Sequence, residues 1–170
     1  MSRSFNPGAV CETNIGVMKR VLALSLLSLT LFSATADEKG KPMSQHASGS
    51  FEVKMEPMAS EAFPRLSGKK QFHGDLEGTS ISEMMSVEGT VEGSGAYAAI
   101  ERVTGTLGGR KGSFVLVHSG TMRRGGEFNM IIRVVPDSGT GELTGISGSM
   151  EIVIEGRDHF YKLDYVLPEP

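Results

Sequence analysis

Residues 97–121 read YAAIERVTGTLGGRKGSFVLVHSGT. Two strand-forming runs flank Gly108-Gly109, and paired glycines between such runs read as the tight turn of a β-hairpin. Folding the stretch about that turn sets Tyr97 opposite Gly120, Ala99 opposite His118, Glu101 opposite Leu116 and Val103 opposite Phe114. One face then carries Tyr97, Glu101 and His118 together with Phe114 and Leu116. The apolar pair marks this face as the buried one, because the other would bury Arg102, which is costly without a partner. Diagonal neighbours on paired strands stand about 7–8 Å apart, so Glu101 and Tyr97 both come within reach of His118. Ala99 and Gly120 leave open space beside them.

The last hairpin follows the same rule. With its turn at 155–158, Ile154 faces His159, Val153 faces Phe160 and Glu151 faces Lys162. One face gains an opposite-charge pair, and the other joins Met150 and Ile152 to Tyr161 and Leu163. Agreement of this kind across two strands is what a correct register produces.

The rest of the chain from Ser48 onward reads as strand separated by turns. Phe51, Val53 and Met55 alternate with Glu52, Lys54 and Glu56, the period of a half-buried strand. Further strands are expected over 66–74, 75–91, 95–106, 111–122, 128–135, 142–154 and 159–167. Between them lie turn-rich stretches such as 92–95, 124–126 and 136–141. A one-residue bulge near 123–126 is expected, to keep Phe128, Met130, Ile132 and Val134 inside. No window has a helical period. About eight short strands predict an all-β domain, either an antiparallel barrel, which leaves no exposed edge, or a sandwich.

The N-terminus has a different character. Met18-Lys19-Arg20 precedes an apolar run over 21–32, then Ala34-Thr35-Ala36 and a polar Asp37-Glu38-Lys39. Charge, apolar run and small-residue site in that order read as a secretory signal peptide cleaved after Ala36. The run is short of the about 20 residues that span a bilayer. The expected organisation is a mis-called or untranslated start over 1–17, with Met1 and Met18 both open as initiators. A signal peptide over 18–36, a flexible lead-in over 37–46 and a β domain over 47–168 follow. That predicts a periplasmic or secreted protein.

The only cysteine, Cys11, precedes the signal, so the mature chain holds no disulfide and no thiol chemistry, and its stability must come from its core. Setting aside Arg3, Lys19, Arg20 and Glu12 from the chain's 17 basic and 20 acidic residues leaves 14 and 19, a net charge of −5. A mildly acidic chain without a basic stripe is not a nucleic-acid binder. It has no basic amphipathic helix for a membrane surface, and no integral membrane segment after signal cleavage. Phosphate-binding loops, zinc-protease helices and nucleophile elbows are missing. Ser119 follows His118 directly, so the two point to opposite faces. His73, Asp75 and Glu77 share a parity but read as a solvated rim cluster. No metal and no cofactor is assigned.

Four runs carry a family resemblance: FHGDLEG over 72–78, YAAIERV over 97–103, GSF…HSGT from Gly112 to Thr121, and PDSGTG over 136–141. Over about residues 47–167 the chain resembles the bacterial DUF3224 family, whose barrel is similar to that of allene oxide cyclase. The resemblance implies a single eight-stranded antiparallel barrel of lipocalin-like shape and favours it over the sandwich. It implies no substrate, since such barrels host unrelated tasks.

The functional expectation is a barrel that binds a small, partly apolar molecule, with oligomeric state open. Glu101 and His118 orient the ligand, Tyr97 and Tyr161 line it, and Phe114, Leu116 and Met130 form an apolar wall. One rival is an isomerase or cyclase acting on a lipid-like substrate, with Glu101 or His118 as general base. Another is a structural envelope protein in which His118 and Glu101 simply satisfy each other.

Overall fold

The computed structural model describes residues 44–126 and 128–168. The expected start over 1–17, the expected signal peptide over 18–36 and the expected lead-in as far as residue 43 lie outside the described residues. Nine strands follow in chain order: β1 Gln45–Met58, β2 Arg65–Gly74, β3 Leu76–Glu88, β4 Gly95–Leu107, β5 Arg110–Met122, β6 Phe128–Val134, β7 Thr140–Gly141, β8 Ser147–Glu155 and β9 Asp158–Val166. Every pairing is antiparallel. The order β4-β3-β2-β1-β9-β8-β6-β5 closes on itself through β4–β5, making an eight-stranded barrel. The short β7 pairs with β5 at Gly112 and Ser113, beyond the reach of β6. Among the described residues no helix is long and apolar enough to cross a membrane.

The central hairpin turns at Gly108 and Gly109, whose φ values of 55° and 82° are both left-handed. Two successive positive φ values match the twist of a two-residue hairpin, and glycine adopts them without steric cost. The register that results pairs Tyr97 with Gly120, Ala99 with His118, Glu101 with Leu116 and Val103 with Phe114. The closing hairpin pairs Ile154 with His159, Glu151 with Lys162 and Met150 with Leu163.

Two expectations about connections are corrected. No bulge separates β5 from β6: His118 pairs with Ile132 and Gly120 with Met130 in unbroken register. The connection from Met122 to Phe128 keeps the even-numbered residues of both strands inside, so no shift is needed. The expected strand over 142–154 begins only at Ser147. The stretch before it is a turn, held by bonds from Leu143 N–H to the Thr140 carbonyl and from Ile146 N–H to the Leu143 carbonyl. Left-handed backbone at Asp137, Gly141 and Gly145 lets it fold tightly.

That turn has a structural task. Leu143 and Ile146 are buried in the same apolar cluster as Leu107 and Leu167, and they close one end of the barrel. The middle is filled by Phe72, Leu76, Val103, Phe114 and Leu116, all without exposed surface. Full burial of each such side chain contributes about 1.5–3 kcal/mol. The opposite end is framed by the connections β1–β2, β3–β4, β5–β6 and β8–β9, and no described residue plugs it. There Met55, Phe128 and Ile154 point into an open mouth and remain exposed.

Candidate functional site

Just below the mouth lies a cavity of about 260 Å³. Its floor is polar and its walls are apolar. The polar floor comes from four strands. Lys70 stands on β2, Ser80 and Ser82 on β3, Glu101 on β4 and His118 on β5. Strand pairing puts Lys70 beside Ser80 and Ser82 beside Glu101, and sets Ala99 between Met84 and His118. Alternation then turns all of these side chains inward.

Glu101 is the centre of the floor and has no exposed surface. Its Oε1 accepts a 2.5 Å bond from the Ser80 hydroxyl. Its Oε2 accepts a 2.7 Å bond from Lys70 Nζ. The Lys70 ammonium also sits 4.8 Å from the Phe51 ring centre and 5.7 Å from that of Phe72, both within cation–π range. Burial pushes the Glu101 carboxyl up, but His118, Lys70 and Ser80 together pull it down further, to about 2. Glu101 is therefore ionised at neutral pH and bonded on both oxygens. A carboxylate in that state is a counter-ion to Lys70 and a weak base, which makes it a poor proton acceptor in catalysis.

His118 differs from its neighbours. Its Nε2 lies 3.0 Å from Glu101 Oε2, yet the ring N–H is not aimed along the line a hydrogen bond requires. The residue is only 5% exposed. His118 Nε2 is thus a buried polar atom with no hydrogen-bond partner among the described residues, at the wall of a cavity. Buried polar atoms are nearly always paired, so an unpaired one calls for an explanation.

Tyr97 closes the cavity on the β4 side. Its ring lies across Gly120, where an added Cβ would fall 2.2 Å from Tyr97 Cε1. It stands 6.3 Å from the Phe128 ring. Burial first, and then the charge of Glu101, push the Tyr97 phenol upward, so it stays a neutral O–H group. Met84, Met130 and Ile152 complete the apolar wall.

The residues singled out from sequence divide into two groups. Tyr97, Glu101, His118 and Met130 meet at this cavity. Phe114 and Leu116 lie deeper, in the packed middle, and do not line it. Tyr161 is farther toward the plugged end, where its hydroxyl accepts a 2.8 Å bond from Leu76 N–H and contacts the His73 carbonyl at 3.4 Å. Its geometry is that of a barrel strut. Lys70, Ser80 and Ser82 were not singled out from sequence. The signal for Lys70 was its shared parity with Phe72, two residues along β2. His73, Asp75 and Glu77 sit on the surface. Asp75 accepts from Ser48 N–H at 2.8 Å and Glu77 from Gly74 N–H at 2.9 Å. No cluster of three His, Cys, Asp or Glu suited to a metal occurs among the described residues.

Comparison with known proteins matches the barrel as a whole. The family model described as protein of unknown function, DUF3224, matches residues 47–165. A similar solved structure is the crystal structure, at 1.84 Å resolution, of a protein with unknown function from the DUF3224 family of Shewanella oneidensis MR-1. It is 41% identical, has a TM-score of 0.70, and the match covers 75% of this chain and 100% of that one. No curated protein matches.

Proposed function

From the premise that this chain belongs to the DUF3224 family of eight-stranded barrels, we propose that it binds a small, partly apolar molecule in the open mouth of its barrel. The carrying observation is the buried, unpaired Nε2 of His118 at the wall of a 260 Å³ cavity. That volume falls just below the roughly 300–1,000 Å³ typical of pockets for drug-sized ligands, which suits a smaller molecule. Apolar walls with a few convergent polar groups are the usual composition of such pockets. Lys70 and Glu101 build the rigid floor, His118 and Tyr97 meet the ligand, and Met84 and Met130 adapt to its shape.

The charged sequence at Lys19-Arg20, the apolar run after it and the Ala34-Thr35-Ala36 site support export, and we place the protein in the periplasm or outside the cell. N-terminal sequencing of the protein recovered from an osmotic-shock fraction tests this. A chain that begins at Asp37 agrees; a cytosolic chain that retains Met18 overturns it.

Native mass spectrometry of the protein purified from its own cells tests the binding. A small molecule held by the wild-type protein and lost on heating agrees with the reading. The bare polypeptide mass in every gentle preparation, and no added apolar molecule retained, contradicts it.

A further inference from the structure

The hydrogen-bond inventory of the floor restricts what can sit on it. Both Glu101 oxygens are engaged, Oε1 by Ser80 and Oε2 by Lys70. The Lys70 ammonium is used by Glu101 and by the faces of Phe51 and Phe72. His118 Nε2 has no well-aligned hydrogen bond: it lies 3.0 Å from Glu101 Oε2, off the line such a bond requires. Its proton state follows from its neighbour. A bare imidazole lone pair 3.0 Å from an ionised carboxylate oxygen would set two acceptors against each other, so Nε2 carries the hydrogen. That N–H is a donor whether the ring is neutral or charged. Tyr97, at the same cavity, holds a second O–H group.

Charge sharpens the result. With the His118 ring neutral, Lys70 and Glu101 cancel and leave no surplus cation on the floor. An anionic head placed on His118 would lie close to Glu101 Oε2, setting two carboxylates against one ammonium in a water-poor site. An uncharged acceptor meets no such opposition. On these grounds we infer that the ligand is a neutral molecule whose carbonyl-type oxygen accepts from His118 Nε2 and Tyr97, with its apolar body lying between Met84, Met130 and Phe128 toward the mouth. This rests on the cavity being a ligand site, and it adds the polarity and orientation of the ligand.

The test compares three probes of matched chain, methyl heptyl ketone, nonanoate and nonane, at neutral pH. Binding is followed by the NMR shifts of the isotope-labelled methionine methyl groups of Met84 and Met130, with buried Met150 as the internal control for folding. The ketone is expected to bind about tenfold tighter than either nonane or nonanoate, the scale of one net hydrogen bond in a buried site. In His118→Leu the preference for the ketone over nonane falls while nonane binding holds. Nonanoate or nonane equalling the ketone in the wild-type protein, with the Met84 and Met130 signals moving, overturns the neutral-acceptor inference and leaves the cavity reading standing. No movement of either signal with any probe overturns both. The wild-type ranking decides the matter even where His118→Leu fails to fold.

Discussion

Replacing Lys70 by methionine should flatten the pH dependence of this protein's stability. Glu101 has no exposed surface, and its carboxyl is held at about 2 against an ordinary 4.5. At 1.36 kcal/mol per unit, the folded state favours the ionised form by about 3 kcal/mol. The sign follows from the direction of the shift. A carboxyl lowered by folding contributes its stability above the unfolded value of 4.5 and loses it as pH falls from there toward 2. In Lys70→Met the burial penalty persists while the 2.7 Å ion pair is gone. His118 and Ser80 still pull the Glu101 carboxyl down, so it rises from about 2 toward its unfolded value of 4.5. The stability gained as pH climbs from about 2 past 4.5 should shrink, because the lysine's share in holding the buried carboxylate ionised is gone. Breaking a buried pair from one side costs about 3–5 kcal/mol at neutral pH. Removing both charges in Lys70→Met with Glu101→Gln should recover most of that loss, since an apolar replacement of a buried pair is often neutral. Urea unfolding between about pH 3 and pH 8 on the wild type, both single variants and the double variant provides the cycle. A Lys70→Met protein within about 1 kcal/mol of the wild type at neutral pH, with the same pH slope, would refute the view that Glu101 is an ionised counter-ion at the centre of the floor.

Three further outcomes follow from the same geometry. Gly120→Ala places a methyl 2.2 Å from Tyr97 Cε1, so it should expel the Tyr97 ring from the cavity wall and cost about 1–3 kcal/mol; loss of nuclear Overhauser contacts between Tyr97 and Phe128 reports the expulsion. Tyr161→Phe strips the buried Leu76 N–H of its acceptor and should cost about 1–3 kcal/mol in thermal unfolding, with ligand retention in native mass spectrometry unchanged. Leu143→Ala cuts into the plug and should cost about 2–5 kcal/mol. It should also speed amide hydrogen exchange at Gly108 and Leu143 before any change appears near His118.

The hairpins were legible in the sequence because their information is local. A two-residue turn at Gly108-Gly109 fixes which residues face each other, so Tyr97, Glu101 and His118 fall on one inward face by counting alone. The barrel wall across β1, β2 and β3 was harder. Lys69 and Lys70 are adjacent, and only the register through Phe72 tells which of them enters the barrel. In β3 apolar residues occur on both parities. Met85 and Val87 face solvent while Ser80 and Ser82 face inward, the reverse of what a polarity pattern suggests. The inversion makes sense once Glu101 is seen between them, because the buried serines lie on the face that meets its charge. The plug was legible only as a turn. Pro136, Asp137 and Gly139 signal a reversal, but nothing local says that Leu143 and Ile146 then close the end of a barrel.

The apolar residues of the outer wall carry no comparable constraint. Ile81, Ile100 and Ile131 are exposed, although their backbones sit within the ladders of the barrel wall. The distinctive chemistry of this chain is inside, where one buried carboxylate is bonded by a lysine and a serine and one imidazole N–H is left over.

A crystal structure of the protein prepared gently from its own cells tests that remainder most directly. The account predicts electron density for a small molecule in the mouth, with an acceptor oxygen about 2.7–3.2 Å from His118 Nε2 and the Lys70–Glu101 pair intact beneath it. A cavity filled instead by Met84 and Met130, with the His118 ring turned to bond Glu101 squarely, would contradict it and make the histidine a structural partner only.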